Sequence, residues 1–441
     1  MSVHSYRITR RSALKRLGLT AAPILLPSRV FGAEAPSKRI HVALIGVGRQ
    51  ARGANLDPFL KSGDTRVIAV CDVDGWRLGK AKAAVDKHYA STDCFSTRDW
   101  REIIARKDVD AVMISTPDHW HVPQALAAVR AGKHVSCEKP LTLSISEGRI
   151  LADAAKAAGV VFRTDTECRS HEQMHRAAEL VRNGYIGTLK KMQVAVPTGD
   201  VAGGKAEPMP VPEDLDYAMW LGPAPDKPYT PDRVHTPHDF KRPGWMRCRD
   251  TCEGMITNWG THLLDVAQLA HNTERTGPVS VEGTGEYPAP DSGLWNVLLH
   301  FEARFRFSDG VEIEYRTGGA PYVRFEGDEG WIQSTWMTGK DAEEGLTASP
   351  KTLLDTALRE TDLRLPRRAD KEDFIYAIKR GAPTMIDAEI GHRACSMGQL
   401  AHIAIQTGRK LDWDPAAERF PGDEAANALL TRPMRGDWMK V

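Results

Sequence analysis

The chain has 441 residues, of which 41% are hydrophobic and 27% are charged, and this composition is typical of a globular protein long enough for two domains. It excludes a disordered, a collagen-like and a membrane-spanning chain. Lys and Arg total 59 against 58 Asp and Glu, so the chain has no strong net field that would attract anionic polymers. We therefore expect neither nucleic acid nor anionic lipid as a partner.

Residues 1–35 have the pattern of an export signal. The pair Arg10-Arg11 precedes a short apolar run from Leu17 to Leu26, and a small-residue cleavage site follows at Ala33-Glu34-Ala35. The run is too short to span a bilayer, so no stable membrane anchor is expected. The segment looks like a twin-arginine signal peptide, which predicts export of the folded protein by the bacterial twin-arginine translocase and a periplasmic or otherwise exported location.

Short apolar strands alternate with helical segments over the next hundred residues. Strands are predicted at 40–45, 65–70, 110–115 and 134–137, and helices at 76–88 and 122–131. This alternation predicts an α/β fold with a doubly wound parallel sheet. We assign this domain to residues 36–160.

The pattern changes from about residue 162, where alternating hydrophobicity becomes common. Helices are predicted at 174–183, 371–380 and 390–407, and strands at 189–196, 295–307 and 311–315. Ser308-Asp309-Gly310 separates the last two strands and predicts a hairpin. The Pro-rich stretch between residues 197 and 243 has little periodicity, and a loop of that length is usually functional. Residues 161–441 are expected to form a second, sheet-rich domain.

A glycine-rich turn follows the first predicted strand and precedes a helix. Gly46 permits the tight turn, Gly48 lets the backbone approach a pyrophosphate, and Ala51 allows close packing of the helix. Asp72, at the end of the second strand, can accept hydrogen bonds from an adenosine ribose, which predicts NAD as the cofactor. Arg77 is near enough in sequence to leave NADP possible.

Further candidate cofactor residues follow the next two strands, at the carboxyl edge where doubly wound sheets bind ligands. Together with Arg49 of the glycine-rich turn, these candidates are Thr116, Pro117, His119, Glu138 and Lys139. His119 and His121 are candidates to border the nicotinamide ring.

From about Arg39 to its end the chain resembles the glucose-fructose oxidoreductase, inositol dehydrogenase and rhizopine-catabolism (Gfo/Idh/MocA) superfamily. The motifs that carry the resemblance are Gly46-Val47-Gly48, Cys71-Asp72-Val73-Asp74, Ser115-Thr116-Pro117, Glu138-Lys139-Pro140 and Gly260-Thr261-His262-Leu263-Leu264-Asp265. The resemblance implies an NAD-binding Rossmann domain followed by an α/β domain with a large open, mainly antiparallel sheet that forms one wall of a sugar or polyol site. Relatives often form homo-oligomers through a large sheet, and we expect one here.

The resemblance also implies catalytic roles. Lys139 would contact the cofactor ribose and the substrate hydroxyl, and His262 would act as acid/base at the hydroxyl that is oxidised. The chemistry is reasonable because an unperturbed His titrates near neutral pH and a Lys stabilises a developing alkoxide. Many relatives have an Asp four residues before this His, whereas this chain has Asn258, which can hydrogen-bond a sugar hydroxyl but cannot ionise.

Sugar sites need aromatic faces and planar hydrogen-bonding groups. Beside Asn258 and His262, the candidate substrate-binding residues are Glu167, Arg169, His175, Trp220 and Tyr229.

The seven cysteines do not describe a disulfide scaffold. Cys248 and Cys252 are close enough for a loop disulfide, and no metal site is expected because further ligands at recognisable spacing are missing.

Three functions remain open. The chain could be a sugar or polyol oxidoreductase, an NAD-dependent glycoside hydrolase that acts by transient oxidation and elimination, or a non-catalytic sugar-binding protein with a structural NAD. The third is disfavoured because Lys139 and His262 are both present. Outside the cytoplasm no pool of free NAD is expected, so we expect a tightly bound cofactor that is recycled in place.

Overall fold

The computed structural model describes residues 39–336 and 345–440, so the predicted signal segment, residues 1–35, lies outside the described residues. In this part of the chain a parallel sheet has the strand order β3-β2-β1-β4-β5-β6. Its strands are β1 (Ile40–Ile45), β2 (Thr65–Cys71), β3 (Phe95–Thr97), β4 (Ala111–Ile114), β5 (His134–Glu138) and β6 (Phe162–Asp165). The predicted doubly wound α/β fold is confirmed.

Helices cover both faces of this sheet because successive strand residues point to opposite sides. Val42 and Leu44 of β1 belong to one apolar cluster, and Ala43 and Ile45 to another. The helices that supply these layers are Leu56–Lys61, Gly75–Tyr89, Trp100–Ala105, Asp118–Arg130 and Ile145–Ala158. A sheet buried on both faces explains why its strands are continuous apolar runs rather than alternating ones.

A second, mixed sheet has the order β13-β12-β11-β7-β10-β9-β8-β14 within the described residues. Strands β7 and β10 pair in parallel, whereas the other adjacent pairs are antiparallel. The strands are β7 (Leu189–Val196), β8 (Ser280–Glu286), β9 (His300–Arg306), β10 (Glu312–Thr317), β11 (Tyr322–Gly327), β12 (Trp331–Thr335), β13 (Leu346–Ser349) and β14 (Leu411–Asp412). This confirms the expected large, mainly antiparallel sheet.

One face of the second sheet packs against helices, and its apolar residues share a core with them. The helices in this part of the chain are Glu172–Arg182, Tyr217–Leu221, Met255–Asn258, Gly260–His271, Asp370–Arg380, Ala388–Thr407 and Glu424–Asn427. The other face is open to solvent. In β9, for example, buried and exposed residues alternate along the strand.

Three local predictions differ from the structure. The strand predicted from residue 295 begins only at His300. The Trp295 N–H instead donates to the Gly203 carbonyl of the long loop, and the Asn296 N–H donates to the Arg247 carbonyl. The helix after the glycine-rich turn opens with a π-helical turn, Ala51–Asn55. Strand β6 pairs with β5, so the first sheet extends past residue 160; the domain boundaries themselves stay predictions.

All seven cysteines are free and buried. The loop disulfide between Cys248 and Cys252, considered from their spacing, is therefore not formed. Among the described residues no helix is both long and apolar enough to cross a membrane.

Candidate active site

A cleft of about 480 Å³ lies along the carboxyl edge of the first sheet. The strand order reverses between β1 and β4, and ligands of doubly wound folds bind at such a reversal. The residues that line the cleft fall into a glycine-rich end, a group of polar residues after β4 and β5, and a wall of aromatic residues from later in the chain.

The glycine-rich end begins directly after β1. Gly46 has φ of +81°, and a Cβ there would lie 2.7 Å from the backbone carbon of Ser115 and the backbone nitrogen of Thr116. A Cβ on Gly48 would lie 3.0 Å from the guanidinium of Arg77. Only hydrogen atoms fit at the first position, so the two strand ends approach each other and leave a cradle that suits a pyrophosphate.

Asp72 fixes the other side of this cradle. Its carboxylate accepts hydrogen bonds from the backbone N–H of Val47 at 2.8 Å and of Asp74 at 2.9 Å. Burial raises the pKa of Asp72, and the charge of Arg77 opposes the rise. Arg77 itself donates to the Asp239 carbonyl at 2.9 Å. The arrangement suits a ribose held by Asp72, with the guanidinium of Arg77 already engaged by the protein.

The long Pro-rich loop lies over this end of the cleft. The Gly75 N–H donates to the Asp214 carbonyl at 2.7 Å, and the Asp216 N–H donates to the Val73 carbonyl at 3.0 Å. His235 is 2.8 Å from the carboxylate of Asp74. These contacts hold the loop against the segment that follows β2, which is where the adenosine of a dinucleotide would bind.

The end of β4 supplies Thr116, Pro117 and Asp118 to the cleft. Asp118 is only 3% exposed, and burial raises its pKa to about 6. Its Oδ2 has no hydrogen-bond partner among the described residues. The Cys252 thiol also interacts with this carboxyl group. The Oδ2 atom fits a ligand with N–H or O–H groups, such as a nicotinamide or a ribose.

His119 is buried behind the cleft rather than in it. Its Nε2 is 3.0 Å from the Trp220 carbonyl, and burial lowers its pKa to about 3. Trp220 does line the cleft, as does Arg49, whereas Ala51 packs in the core beneath the glycine-rich turn.

Glu138 is held at the end of β5 by a residue that the sequence did not single out. The Asn55 side-chain amide donates to Glu138 Oε1 and to Ser115 Oγ, both at 2.9 Å. Burial raises the pKa of Glu138. Asn55 thus ties the ends of β4 and β5 to the helix that begins at the glycine-rich turn.

Lys139, Asn258 and His262 are brought together at the middle of the cleft. The Lys139 ammonium donates to the Asn258 backbone oxygen at 3.1 Å and to its Oδ1 at 3.3 Å. His262 is 5% exposed, and its Nδ1 is 2.7 Å from Thr166 Oγ1. Burial, and then the charge of Lys139, lower the pKa of His262 well below its ordinary value, so its ring is neutral at neutral pH.

Glu167 lines the same part of the cleft. Burial raises its pKa to about 7, and the negative charges of Glu138 and Asp370 contribute to the rise. The charges of Lys139 and Lys371 act in the opposite direction. Of the candidate substrate residues, Glu167 therefore has the carboxyl group suited to gain and lose a proton near neutral pH.

Tryptophans that the sequence analysis did not select form a wall beside His262. Trp259 and Trp336 meet edge to face with ring centroids 5.7 Å apart, and the His262 ring stacks on Trp336 at 6.3 Å. Trp245 also lines the cleft. Trp259 could have been found because it precedes the Gly260-Thr261-His262 motif directly, whereas Trp336 follows β12 and has no local signal.

The remaining candidate substrate residues lie outside this cleft. Arg169 makes a two-point ion pair with Asp265, at 2.8 and 2.6 Å. His175 is 3.1 Å from the Leu365 carbonyl, and Tyr229 packs in a small apolar cluster of the long loop. The guanidinium of Arg169 and the ring of His175 are thus already engaged by other groups of the protein. Across residues 39–336 and 345–440, no three His, Cys, Asp or Glu side chains converge to hold a metal ion.

Comparison with family models matches two consecutive parts of the chain. Residues 40–166 match the Gfo/Idh/MocA oxidoreductase family, NAD-binding Rossmann fold, and residues 172–440 match the C-terminal alpha/beta domain of the same oxidoreductase family.

Among curated proteins, a 1,5-anhydro-D-fructose reductase of Ensifer adhaerens is 42% identical over 318 residues, which cover 68% of this chain and 82% of that protein. A glycosyl hydrolase family 109 protein of Stenotrophomonas maltophilia (strain K279a) is 26% identical over 244 residues, which cover 54% of this chain and 52% of that protein. The match therefore spans only about half the length of that hydrolase relative.

Many solved structures share the fold, and two of them show how far the likeness extends. GenD2 from gentamicin A biosynthesis, in complex with NAD, is 19% identical with a TM-score of 0.61, covering 86% of this chain and 98% of that chain. The aldose-aldose oxidoreductase of Caulobacter crescentus, complexed with glycerol, is also 19% identical with a TM-score of 0.61, covering 85% of this chain and 100% of that chain.

Proposed function

Because this chain belongs to the Gfo/Idh/MocA oxidoreductase family, we propose that it transfers a hydride between a tightly bound NAD and a hydroxyl group of a sugar, polyol or glycoside. The observation that carries the proposal is the position of Lys139. Its ammonium is anchored on two oxygens of Asn258, beside the neutral His262, in a cleft that also contains the Gly46–Gly48 cradle.

Lys139 orients the substrate oxygen. An ammonium group has three N–H donors, and two of them are directed at Asn258. The third is available to a substrate hydroxyl, where the positive charge stabilises the alkoxide character that develops during oxidation. NAD, when bound, supplies the hydride acceptor of the oxidation. Asn258 does not ionise, so it positions Lys139 without neutralising it.

The aromatic wall supports a carbohydrate substrate. Trp259 and Trp336 present flat apolar surfaces, which suit the C–H face of a pyranose ring, while Glu167 and His262 supply polar groups for its hydroxyls. The 1,5-anhydro-D-fructose reductase relative and the aldose-aldose oxidoreductase structure favour the same substrate class.

A retained cofactor is supported by the loop that covers the adenosine end. Release of a dinucleotide would require this loop to break the bonds of Asp214 and Asp216 to the segment after β2, together with the 2.8 Å contact of His235 to Asp74. We propose that the cofactor stays in the cleft through the whole cycle: a sugar hydroxyl gives up its hydride and reduces the bound NAD, and a second, carbonyl compound then takes the hydride and reoxidises it.

The test is turnover with only the bound nucleotide. Purified protein is mixed with a sugar donor and a sugar carbonyl acceptor without added NAD, and the products are counted per protein molecule. Many products per molecule are expected. Strict dependence on stoichiometric fresh NAD would contradict recycling, and no reduction of bound nucleotide by any sugar would contradict the oxidoreductase proposal.

Glycoside hydrolysis is the second candidate, and the match to glycosyl hydrolase family 109 proteins favours it. In that case the transient ketone acidifies a neighbouring C–H bond, and loss of this proton together with the aglycone leaves an unsaturated ketone. Water adds to the unsaturated ketone, and the hydride then returns to the same sugar. Release of phenol from aryl glycosides without a net change in NADH absorbance would support hydrolysis.

Export is also part of the proposal. Residues 1–35 have the twin-arginine pattern, and a protein that must bind its cofactor before leaving the cytoplasm needs a route for folded chains. We propose an exported protein that assembles as a homo-oligomer, and size-exclusion chromatography with light scattering tests the assembly.

A further inference from the structure

Oxidation of a hydroxyl requires a group that accepts its proton. Asp118 lies at the end of β4, where its carboxyl group suits the nicotinamide or ribose of the cofactor. Of the remaining side chains near Lys139, His262 and Glu167 compete for this role. His262 is neutral, but accepting a proton would create a second positive charge beside the Lys139 ammonium in a buried position. Both burial and Lys139 lower its pKa. His262 is therefore a weak base in this cleft, although it remains a hydrogen-bonding group.

We propose that Glu167 accepts the hydroxyl proton during oxidation and returns it during reduction, while His262 only positions the substrate. This inference rests on the proposed oxidoreductase function and assigns the proton-transfer step within it.

The backbone holds Glu167 firmly in the cleft. It opens the short 3₁₀ turn Glu167–Arg169 that follows β6. The preceding Thr166 is bonded to the His262 ring, and the following Cys168 is fully buried. Arg169, at the end of the turn, is fixed by its two-point ion pair with Asp265. With its neighbours anchored on both sides, the backbone of Glu167 is fixed, and Glu167 is among the residues that line the cleft.

Charged side chains of both signs act on the pKa of Glu167. Glu138 at the end of β5 and Asp370 at the start of helix Asp370–Arg380 disfavour its charged form, whereas Lys139 and Lys371 favour it. Burial is the largest effect and raises its pKa to about 7. A catalytic acid/base works best when its pKa is near the operating pH, because both of its forms are then populated.

With Glu167 as the base, oxidation of the hydroxyl transfers one proton to the protein and one hydride to the cofactor. The substrate O–H bond breaks and its proton joins the Glu167 carboxylate, while the C–H electron pair leaves as a hydride to NAD and the C=O bond forms. In the reverse direction the protonated Glu167 returns the proton to the carbonyl oxygen. Lys139 keeps its charge throughout and stabilises the oxygen.

The first measurement is the pH dependence of a single turnover in protein that retains its cofactor. A sugar is mixed with Glu167→Gln, Glu167→Asp and wild-type protein, and reduction of the bound nucleotide is followed by absorbance. Only the ionised carboxylate accepts a proton, so the wild-type rate of oxidation should rise as pH increases through about 7. Glu167→Gln should be slower by about 10²–10⁴-fold and lose this rise, and Glu167→Asp should recover part of the rate.

Glu274→Gln is the matched control. Glu274 is also half-buried with a raised pKa and interacts with Arg169, but it does not line the cleft. It should keep both the wild-type rate and the wild-type pH profile. Retained nucleotide content in each variant shows that the fold and the cofactor site persist.

The second measurement does not depend on turnover. The carboxyl carbon of Glu167 is followed by NMR in ¹³C-labelled protein and identified by its absence in Glu167→Gln. Titration near pH 7 is expected, whereas titration at the ordinary value of an exposed Glu, about 4.3, would overturn the proposal. A wild-type rate and pH profile in Glu167→Gln would also overturn it while leaving the proposed function intact. Failure of the wild-type protein to reduce its nucleotide would instead overturn the proposed function and this inference with it.

Discussion

Replacing Gly46 by Ala tests the idea that the approach of the β1 and β4 ends creates the cofactor cradle. Gly46 has φ of +81°, a conformation that costs an L-residue about 1–2 kcal/mol. The new methyl group would lie 2.7 Å from backbone atoms of Ser115 and Thr116, which cannot rotate away as a flexible side chain could.

The expected loss of stability combines both effects. Forcing one carbon into a packed site costs about 1–3 kcal/mol, so with the backbone strain Gly46→Ala should lower the free energy of unfolding by about 2–5 kcal/mol. This loss is large, because the free energy of unfolding of a typical protein is only about 5–15 kcal/mol. Bound nucleotide should fall as well, because β4 must move away from the cradle.

Gly53→Ala is the control on the same segment. Gly53 lies in the π-helical turn Ala51–Asn55, and a Cβ there would meet no atom within 4 Å. Ala in a helical position should be neutral or stabilise by up to about 1 kcal/mol. Urea unfolding followed by circular dichroism measures both variants, and extraction measures their nucleotide. If Gly46→Ala unfolds at the wild-type urea concentration with full nucleotide content, the argument from close backbone approach is wrong.

Three further predictions use other parts of the chain. Lys139→Ala should reduce turnover by about 10²–10⁴-fold with the fold intact, and His262→Ala should also lose most turnover; near-normal steady-state rates would remove these residues from the mechanism. Nucleotide released by denaturation and separated by chromatography should be NAD, because we expect Asp72 to accept hydrogen bonds from the adenosine ribose; recovery of mostly NADP would contradict this. Changing both Arg10 and Arg11 to Lys should trap the precursor in the cytoplasm, and undiminished export in a fractionation assay would refute the twin-arginine interpretation.

Much of the fold could be predicted from the sequence, because its strands and helices have recognisable local patterns of residues. The strands of the first sheet are buried on both faces and appear as apolar runs such as Ile40–Ile45 and Thr65–Cys71. The hairpin about Ser308-Asp309-Gly310 is confirmed by the antiparallel pairing of β9 and β10. Strand β6 was harder to assign, because its partner depends on which sheet edge is free rather than on its own composition.

The site residues that follow strand ends could be predicted from the sequence, whereas those elsewhere in the chain were harder to predict. Gly46, Asp72 and Lys139 follow strands whose carboxyl ends must meet at one edge, so their convergence follows from the topology. Arg169 and His175 have residue types suited to a sugar, but in the structure they bond to Asp265 and to the Leu365 carbonyl. Residue type therefore showed what these side chains could bind but not whether a nearer partner already satisfies them.

By itself the sequence determined the alternation of strands and helices, the glycine-rich turn and the lysine and histidine at the centre of the cleft, because each depends on local backbone geometry or on motif spacing. Only the tertiary structure decided that Asn258 holds the Lys139 ammonium, that Trp336 stacks on His262, and that the long loop packs against the segment after β2. It also decided the balance of charges around Glu167. Such contacts join residues far apart in the chain, and burial and Coulomb interactions depend on distances in space that no local pattern encodes.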